Sequence, residues 1–324
     1  MLFIHQYPDW THFRFSWSQI LTPLCQIRFL QGRLQGMAHF AAAKNLEESV
    51  RQQDAEASFL IDGKKNVPAL FHSAVKNFHT AMDEKRLLAL HANLFSGKKN
   101  FRELPDVTDK NFNGFSGISP ERIPLEMSKF FAYLNESPMD KILQAAIVEF
   151  WFLVIRPFSS GNGILSRLLA DMLISQSENS ARRFYSLNTE ILNDKDAYFS
   201  ELAKAQQSNG EISSWILWFL NKMEKSLLRS EKEMNSLFCK TKQQLAFSGI
   251  PITDREKNLL EILQQDSEKT LSSSAWAKLS DISHDSALRD LADLVKKGIL
   301  KKAKGKGRST RYQLADISSE PFPF

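Results

Sequence analysis

The sequence predicts a mainly α fold in three parts: a small N-terminal helical domain, a larger helical domain carrying a short β-hairpin, and a C-terminal winged helix-turn-helix. Three observations support this. Over most of the first 230 residues, apolar side chains recur every three or four positions among good helix formers. The stretch 101–118, "FRELPDVTDKNFNGFSGI", has no helical period; it reads as a long loop or weak hairpin, rich in Asn, Gly and Asp. Beyond residue 250, three short amphipathic segments precede two extended runs around a Gly/Lys tip. The expected divisions are 1–72, the N-terminal helical domain; 73–230, the main helical domain; 231–250, a helical connector; 251–315, the winged helix-turn-helix; and 316–324, a loose tail.

The start, "MLFIHQYPDWTHFRF", lacks the basic residues and small-residue cleavage site of a secretory leader. A helical period from Gln31 onward is stopped by Gly63. Further helices are expected over 87–94, 124–134, 141–154, 164–176, 194–206 and 213–228. Asp194 and Asp196 read as caps of the helix they open, and Phe150, Trp151, Phe152, Trp215 and Trp218 as core. His72 and His79 lie about two helical turns apart, but no carboxylate or cysteine completes a metal face, so they read as ordinary helix histidines. Near the C-terminus, "ITDREKNLLEILQQ", "SSSAWAKLSDI" and "SHDSALRDLADLVKKGIL" are the three short helices, with Ser283 capping the third.

Composition excludes some classes. The longest apolar run, 145–155, is too short to span a membrane and contains Glu149. The two cysteines, Cys25 and Cys239, are far apart, so reduced thiols and a cytoplasmic location are expected. The net charge of +5 is mild, so its placement matters more than its size. From Val295 to Arg311 there are eight Lys and Arg residues and no acid. At a wing tip, Lys304, Lys306, Arg308 and Arg311 would contact DNA phosphates while the helix after Ser283 enters the major groove; a protein-docking wing is the alternative.

The chemistry-bearing stretch is 155–167, "IRPFSSGNGILSR". Glycines on either side of Asn162 let backbone N–H groups turn inward, and a helix starting there adds its positive end. Asn162 can donate to a phosphate oxygen, and Arg167, one turn on, can reach a second phosphate. This stretch resembles the signature of the Fic family, H-P-F-x-(D/E)-G-N-G-R-x-x-R. The resemblance continues in "FRELPDV" and "PERIPLEMSKFFAYLN", similar to the family's target-docking flap and the helix after it, and in "ILQAAIVEFWFLVI", which feeds the motif. Downstream, "FYSLNTEILNDKDAYFSELAKAQQ" and "ISSWILWFLNKMEKSL" resemble its closing helices, and "IHQYPDWTHFRFSW" is similar to a small domain often fused in front.

The resemblance implies a Fic helical domain and transfer of AMP from ATP to a protein hydroxyl. The motif histidine is the base, its acid holds Mg²⁺, and the GNG backbone and two arginines grip phosphates. Pro157, Phe158, Gly161, Asn162, Gly163 and Arg167 match. Arg156 stands at the histidine, Ser160 at the metal carboxylate and Ile164 at the first arginine. Arginine stays protonated and is no general base; that loss alone costs on the order of 10²- to 10⁴-fold in rate. Serine is a poor Mg²⁺ ligand, so no metal is expected. The family's inhibitory pattern (S/T)-x-x-x-E-(G/N) is matched by "SFLIDG", with Ser58, Asp62 in place of Glu, and Gly63; the resemblance implies that Asp62 pairs with Arg167. A plain helix end with a surface Asp is the alternative. Tyr198 falls where the family often has aromatic residues near adenine, against simple packing.

The expected function is a degenerate Fic-family regulator that binds ATP or another adenine nucleotide through Gly161, Asn162, Gly163, Arg167 and Tyr198, and binds duplex DNA, with AMP transfer lost or strongly reduced. The alternatives are an active nucleotidyl or phosphoryl transferase or hydrolase with altered chemistry, and a ligand-free scaffold. A protein target at 101–118 and a homodimer complete the expected partners; none is a membrane.

Overall fold

The computed structural model describes residues 2–38, 43–65, 75–95, 100–105, 117–247, 249–264, 270–303 and 310–315. The chain divides into two compact units, Met1–Glu231 and Lys232–Phe324. In chain order the helices are α1 (Trp17–Ala38), α2 (Ala43–Ile61), α3 (Glu84–Phe95), α4 (Ile123–Glu136), α5 (Lys141–Ile155), α6 (Asn162–Glu178), α7 (Leu187–Leu192), α8 (Lys195–Gln206) and α9 (Ser213–Phe247). The fold is mainly α, as the periodicity requires.

α5 is the axis of the first unit. It is apolar on all sides, and every residue from Ile142 to Ile155 is buried. Asp140 caps its start, accepting from the Ile142 N–H at 2.8 Å, and holds α1 through Arg28 at 2.6 Å. Buried Gln144 donates to the Tyr133 and Leu134 carbonyls that close α4, at 2.8 and 3.0 Å. Trp215 of α9 donates its indole N–H to the Ala146 carbonyl at 2.7 Å. The helix ends at Arg156 with φ 49°, a left-handed conformation that Pro157 keeps from continuing.

Several elements differ from the sequence reading. α1 starts at Trp17, ahead of the periodic stretch, and accommodates Pro23. The connector is not separate: α9 runs 35 residues to Phe247, because nothing from 226 to 247 is Gly or Pro. The six-residue α7 was not anticipated; Ser186 caps it by accepting from the Thr189 N–H at 3.0 Å. Asp194 opens α8 but makes no cap bond, its carboxylate being drawn instead to Lys222. Of the 101–118 stretch, residues 106–116 lie outside the described residues, as does His72; the expected hairpin falls there.

The second unit contains α10 (Asp254–Gln264), β1 (Leu271–Ser272), α11 (Ser273–Ser280), α12 (His284–Lys296), β2 (Leu300–Lys302) and β3 (Arg311–Leu314). The antiparallel sheet has the order β1-β3-β2, with Leu271 opposite Tyr312 and Leu300 opposite Leu314. Leu259, Leu263, Trp276, Leu291, Leu294 and Ile299 form its core. Ser283 caps α12, accepting from the Ser286 N–H at 3.2 Å. Lys304, Lys306 and Arg308 lie outside the described residues; exposed Arg311 on β3 donates to Thr270 Oγ1 at 3.2 Å. The exposed positions of α12 include Asp285 and Asp293 beside Arg289 and Lys296. The basic excess of this unit therefore sits on the strands and their connection, not on the helix. Among the described residues no helix is long and apolar enough to cross a membrane.

Candidate functional site

Between α5 and α6 the chain turns within a few residues. Gly161, at φ 80°, sets the first turn of α6 in a conformation that favours glycine. Asn162 closes the loop on itself: its Oδ1 accepts from the Phe158 N–H at 3.0 Å, and its Nδ2 donates to the Phe158 carbonyl at 2.7 Å. The amide read from sequence as a phosphate donor is thus also the clasp that shapes the loop.

Both glycines of the motif are crowded by the chain itself. A Cβ on Gly161 would stand 2.5 Å from the Phe95 ring, and one on Gly163 would stand 2.6 and 2.7 Å from the two carboxylate oxygens of Asp62. The Asp62 carboxylate therefore lies against the first turn of α6, where the helix dipole favours an anion. It arrives there from the end of α2, where Gly63 at φ 72° reverses the chain. The Gly63 N–H bonds the Leu60 carbonyl at 3.0 Å and the Lys64 N–H bonds the Phe59 carbonyl at 2.9 Å, a Schellman closure. An anion at the end of its own helix is poorly placed; α6 and Arg167 compensate.

Arg167 is the hub of this site. Its side chain is 1% exposed. Its Nη2 donates to Asp62 Oδ1 at 2.8 Å and to the Ser58 carbonyl at 2.6 Å, and its Nε donates to Ser58 Oγ at 3.0 Å. Its Nη1 donates to the Tyr198 hydroxyl at 3.4 Å, which donates in turn to Glu149 Oε1 at 2.9 Å. Burial alone would lower the pKa of Arg167, but Asp62, Tyr198 and Glu149 together raise it. Burial also pushes Glu149 up to about 7, with Arg167 and the Tyr198 hydroxyl opposing and Asp62 adding to the rise. Ser58, Asp62, Arg167 and Tyr198, all singled out from sequence, come together here. Tyr198, however, is in the core behind Arg167, its ring near Trp215 and Trp218, rather than at the face of the loop.

The remaining predicted positions are apart from that hub. Arg156 is half-buried at the end of α5, while Ser160 is exposed and Ile164 is fully buried. Among the described residues no three His, Cys, Asp or Glu side chains gather as a metal site, and the loop offers Ser160 where a carboxylate would be needed. The donor set does not fit Mg²⁺.

Three residues of the site escaped the sequence reading. Arg102 fastens the start of the flap stretch: its backbone N–H bonds the Pro157 carbonyl at 2.9 Å, and its Nε bonds the Arg156 carbonyl at 2.7 Å. His91 stacks on Phe158 at 3.9 Å, and its Nε2 lies 3.1 Å from the Ser160 carbonyl. A carbonyl only accepts, so Nε2 carries the proton. Burial holds this imidazole below its usual pKa, only partly offset by Ser160, and Lys64 lowers it further. Glu149, read as an interruption of an apolar run, is the third.

Comparison with known proteins agrees with this architecture. Residues 81–174 match the Fic/DOC family, and residues 3–76 match a domain of unknown function, DUF4172. A curated relative, protein adenylyltransferase fic-1 of Caenorhabditis briggsae, is 26% identical over 107 residues, covering 29% of this chain and 21% of its own length. The match thus spans about a fifth of that relative. Among solved structures, a Fic family protein from Desulfovibrio desulfuricans G20 superposes with a TM-score of 0.56 at 18% identity, covering 93% of this chain and 97% of its own. A Fic domain containing signaling protein from Bacteroides thetaiotaomicron gives 0.52 at 16% identity, covering 65% and 95%. Residues 134–508 of Fic-1 from C. elegans give 0.51 at 15%, covering 67% and 74%. The loop between α5 and α6 thus falls within a matched family segment on a matching fold, and this chain carries a Fic/DOC-family domain.

Proposed function

We propose that this chain is a Fic-type regulator that binds an adenine nucleotide or another phosphate-bearing ligand, with AMP transfer lost or strongly reduced. The observation that carries it is the make-up of the loop. Arg156 occupies the position of the base, Ser160 that of the metal ligand, and the carboxylate nearest the helix start, Asp62, is paired with Arg167. The imidazole beside the loop, His91, spends its Nε2 proton on the Ser160 carbonyl and buries its Nδ1, so it offers no base to a substrate. What remains suits binding: a helix start, two glycines and one buried arginine. Without Mg²⁺ to hold the outer phosphates, AMP and ADP should bind about as well as ATP, and EDTA should change nothing. Incubation with labelled ATP and Mg²⁺ is expected to give no AMP transfer above an Asn162→Ala control. Arg156→His alone should not rescue it, because Ser160 and Ile164 remain. Robust Mg²⁺-dependent transfer by the unmodified chain would overturn this reading. A protein partner would dock on the flap stretch, 101–118, whose start Arg102 fastens to the loop.

The second unit, in this reading, is a winged helix-turn-helix that binds duplex DNA. Support comes from its order of three helices and an antiparallel hairpin, and from the lysines and arginines of 296–311. The mixed charge of the exposed α12 positions favours contact through backbone phosphates over base reading. Neutralising Lys304, Lys306 and Arg308 in the full chain should weaken binding to every sequence alike and lower the salt slope by about three. No DNA affinity even at low salt would leave the wing as a solvated hairpin.

A further inference from the structure

Arg167 has two faces, and the site as described uses one. On the front lies Asp62. On the back the Tyr198 hydroxyl bridges to Glu149, whose Oε1 accepts at 2.9 Å. Glu149 Oε2 is buried and has no hydrogen-bond partner among the described residues. The carboxyl lines a cavity of about 10 Å³, the room of one water molecule, together with Asp54, Arg167, Asp171, Arg183 and Asn188. The charged and titratable groups around Glu149 are thus Asp54 from α2, Asp62 just after it, Arg167 and Asp171 from α6, Tyr198 from α8, and Arg183 and Tyr185 from the segment before α7.

Burial and Asp171 push Asp54 up to about 6, but it already has three donors, the Ser186 hydroxyl at 2.8 Å, the Asn188 N–H at 3.0 Å and the Asn188 amide at 2.7 Å. Asp171 and Glu178 are taken by Arg183, at 2.7 and 3.4 Å. Glu149 is the carboxyl of this group that has a bridge to Arg167 and an unsatisfied oxygen. A buried arginine requires about one negative charge beside it. Asp62 supplies that charge from the front. A second full charge at Glu149 would be buried in excess, so Glu149 keeps a proton while the front is occupied.

We propose that Glu149, acting through the Tyr198 hydroxyl, is a second counterion and positioning residue for Arg167, taking up a proton whenever an anion occupies the front of Arg167 and releasing it when that anion leaves. The anion is Asp62 in the free protein and the oxyanion of a ligand when one displaces it; the inference therefore rests on the reading of Arg167 as an oxyanion seat. The proton resides on the cavity-facing oxygen, and Tyr198 keeps its own proton by donating to the other. Binding at Arg167 is then coupled to the proton concentration when Asp62 is absent, and nearly uncoupled when it is present, because one anion merely replaces another.

The test uses the full chain and inorganic sulfate, a dianion that does not titrate near neutral pH. In Asp62→Asn, which removes the charge and keeps the shape, Glu149 is relieved of the Asp62 repulsion and ionises below about 7. Below that point it is protonated and sulfate meets an uncompensated Arg167. Above it, sulfate must compete with the ionised Glu149. The sulfate affinity of Asp62→Asn is therefore expected to fall with rising pH between 5 and 8, by up to about tenfold per pH unit. In Asp62→Asn/Glu149→Gln the profile should be flat and the affinity should match the low-pH value of the single variant. As a check that depends on no change at Asp62, the infrared difference spectrum between the unmodified chain and Glu149→Gln near pH 6 should show the loss of one protonated carboxylic acid, over the signal of the neighbouring Asp54 and Glu178, which burial also raises. A flat profile in Asp62→Asn, or a slope that persists in the double variant, overturns the proposal. Absence of sulfate binding at any pH, with both variants folded, overturns the oxyanion seat itself and this inference with it.

Discussion

Replacing Arg167 with alanine is expected to lower the unfolding free energy of the Met1–Glu231 unit by about 3–5 kcal/mol, the cost typical of breaking a buried charge network by removing one member. The guanidinium satisfies Ser58, Asp62 and Tyr198 at once, and through Tyr198 it faces Glu149. Asp62, whose side chain is 19% exposed, can turn towards water after the change; Glu149 and Tyr198 cannot. Arg182 is the control. It pairs with Glu47 at 2.8 Å, but its side chain is 50% exposed. Its replacement should cost less than about 1 kcal/mol. Urea titrations of the full chain, with the two units fitted as separate transitions, distinguish the cases. A loss at Arg167 no larger than that at Arg182 would mean that the hub does not hold α2, α6 and α8 together.

Asp62→Ala should move two quantities in opposite directions. Without ligand, Arg167 loses one of its partners and the melting temperature falls. With ligand, the internal occupant of the first turn of α6 is gone. ATP affinity should rise by about tenfold or more, equivalent to about 1.4 kcal/mol, and the affinity for AMP by less, because the outer phosphates are those that compete with Asp62 for Arg167. Calorimetry with ATP, ADP and AMP in EDTA measures the differences directly. Lower stability with unchanged nucleotide affinity would make Asp62 a structural residue and nothing more.

The parts of this structure that were legible in the sequence are those written in local order. The helix end at Gly63, the turn at Gly161 and the cap at Ser283 each depend on a few neighbouring residues, and glycine or serine marks each one. Ser58 and Asp62 were legible through the resemblance of "SFLIDG" to the family's inhibitory pattern, which also implied the pairing of Asp62 with Arg167. Glu149 was not legible. Its partner Tyr198 is 49 residues away, and within "ILQAAIVEFWFLVI" a glutamate reads only as a flaw in an apolar run. Arg102 was hidden for a related reason, since it reaches the loop through the backbone carbonyls of Arg156, Leu104 and Ile118, which carry no residue identity. The extension of α9 to Phe247 was missed because a composition shift was taken as a boundary, whereas a helix stops only where something breaks it.

The contact of Asp62 with Gly163 also has a meaning in terms of concentration. A carboxylate tethered at the end of α2 is a competitor that cannot be diluted or dialysed away. Short tethers correspond to effective concentrations on the order of millimolar. A phosphate-bearing ligand therefore sees its intrinsic affinity divided by the small fraction of molecules whose seat is open. The response of this chain to such a ligand is moved to higher levels by a constant factor that is the same at every protein concentration, and that factor is set by the length of one side chain: a glutamate at position 62 would reset the threshold without altering the seat.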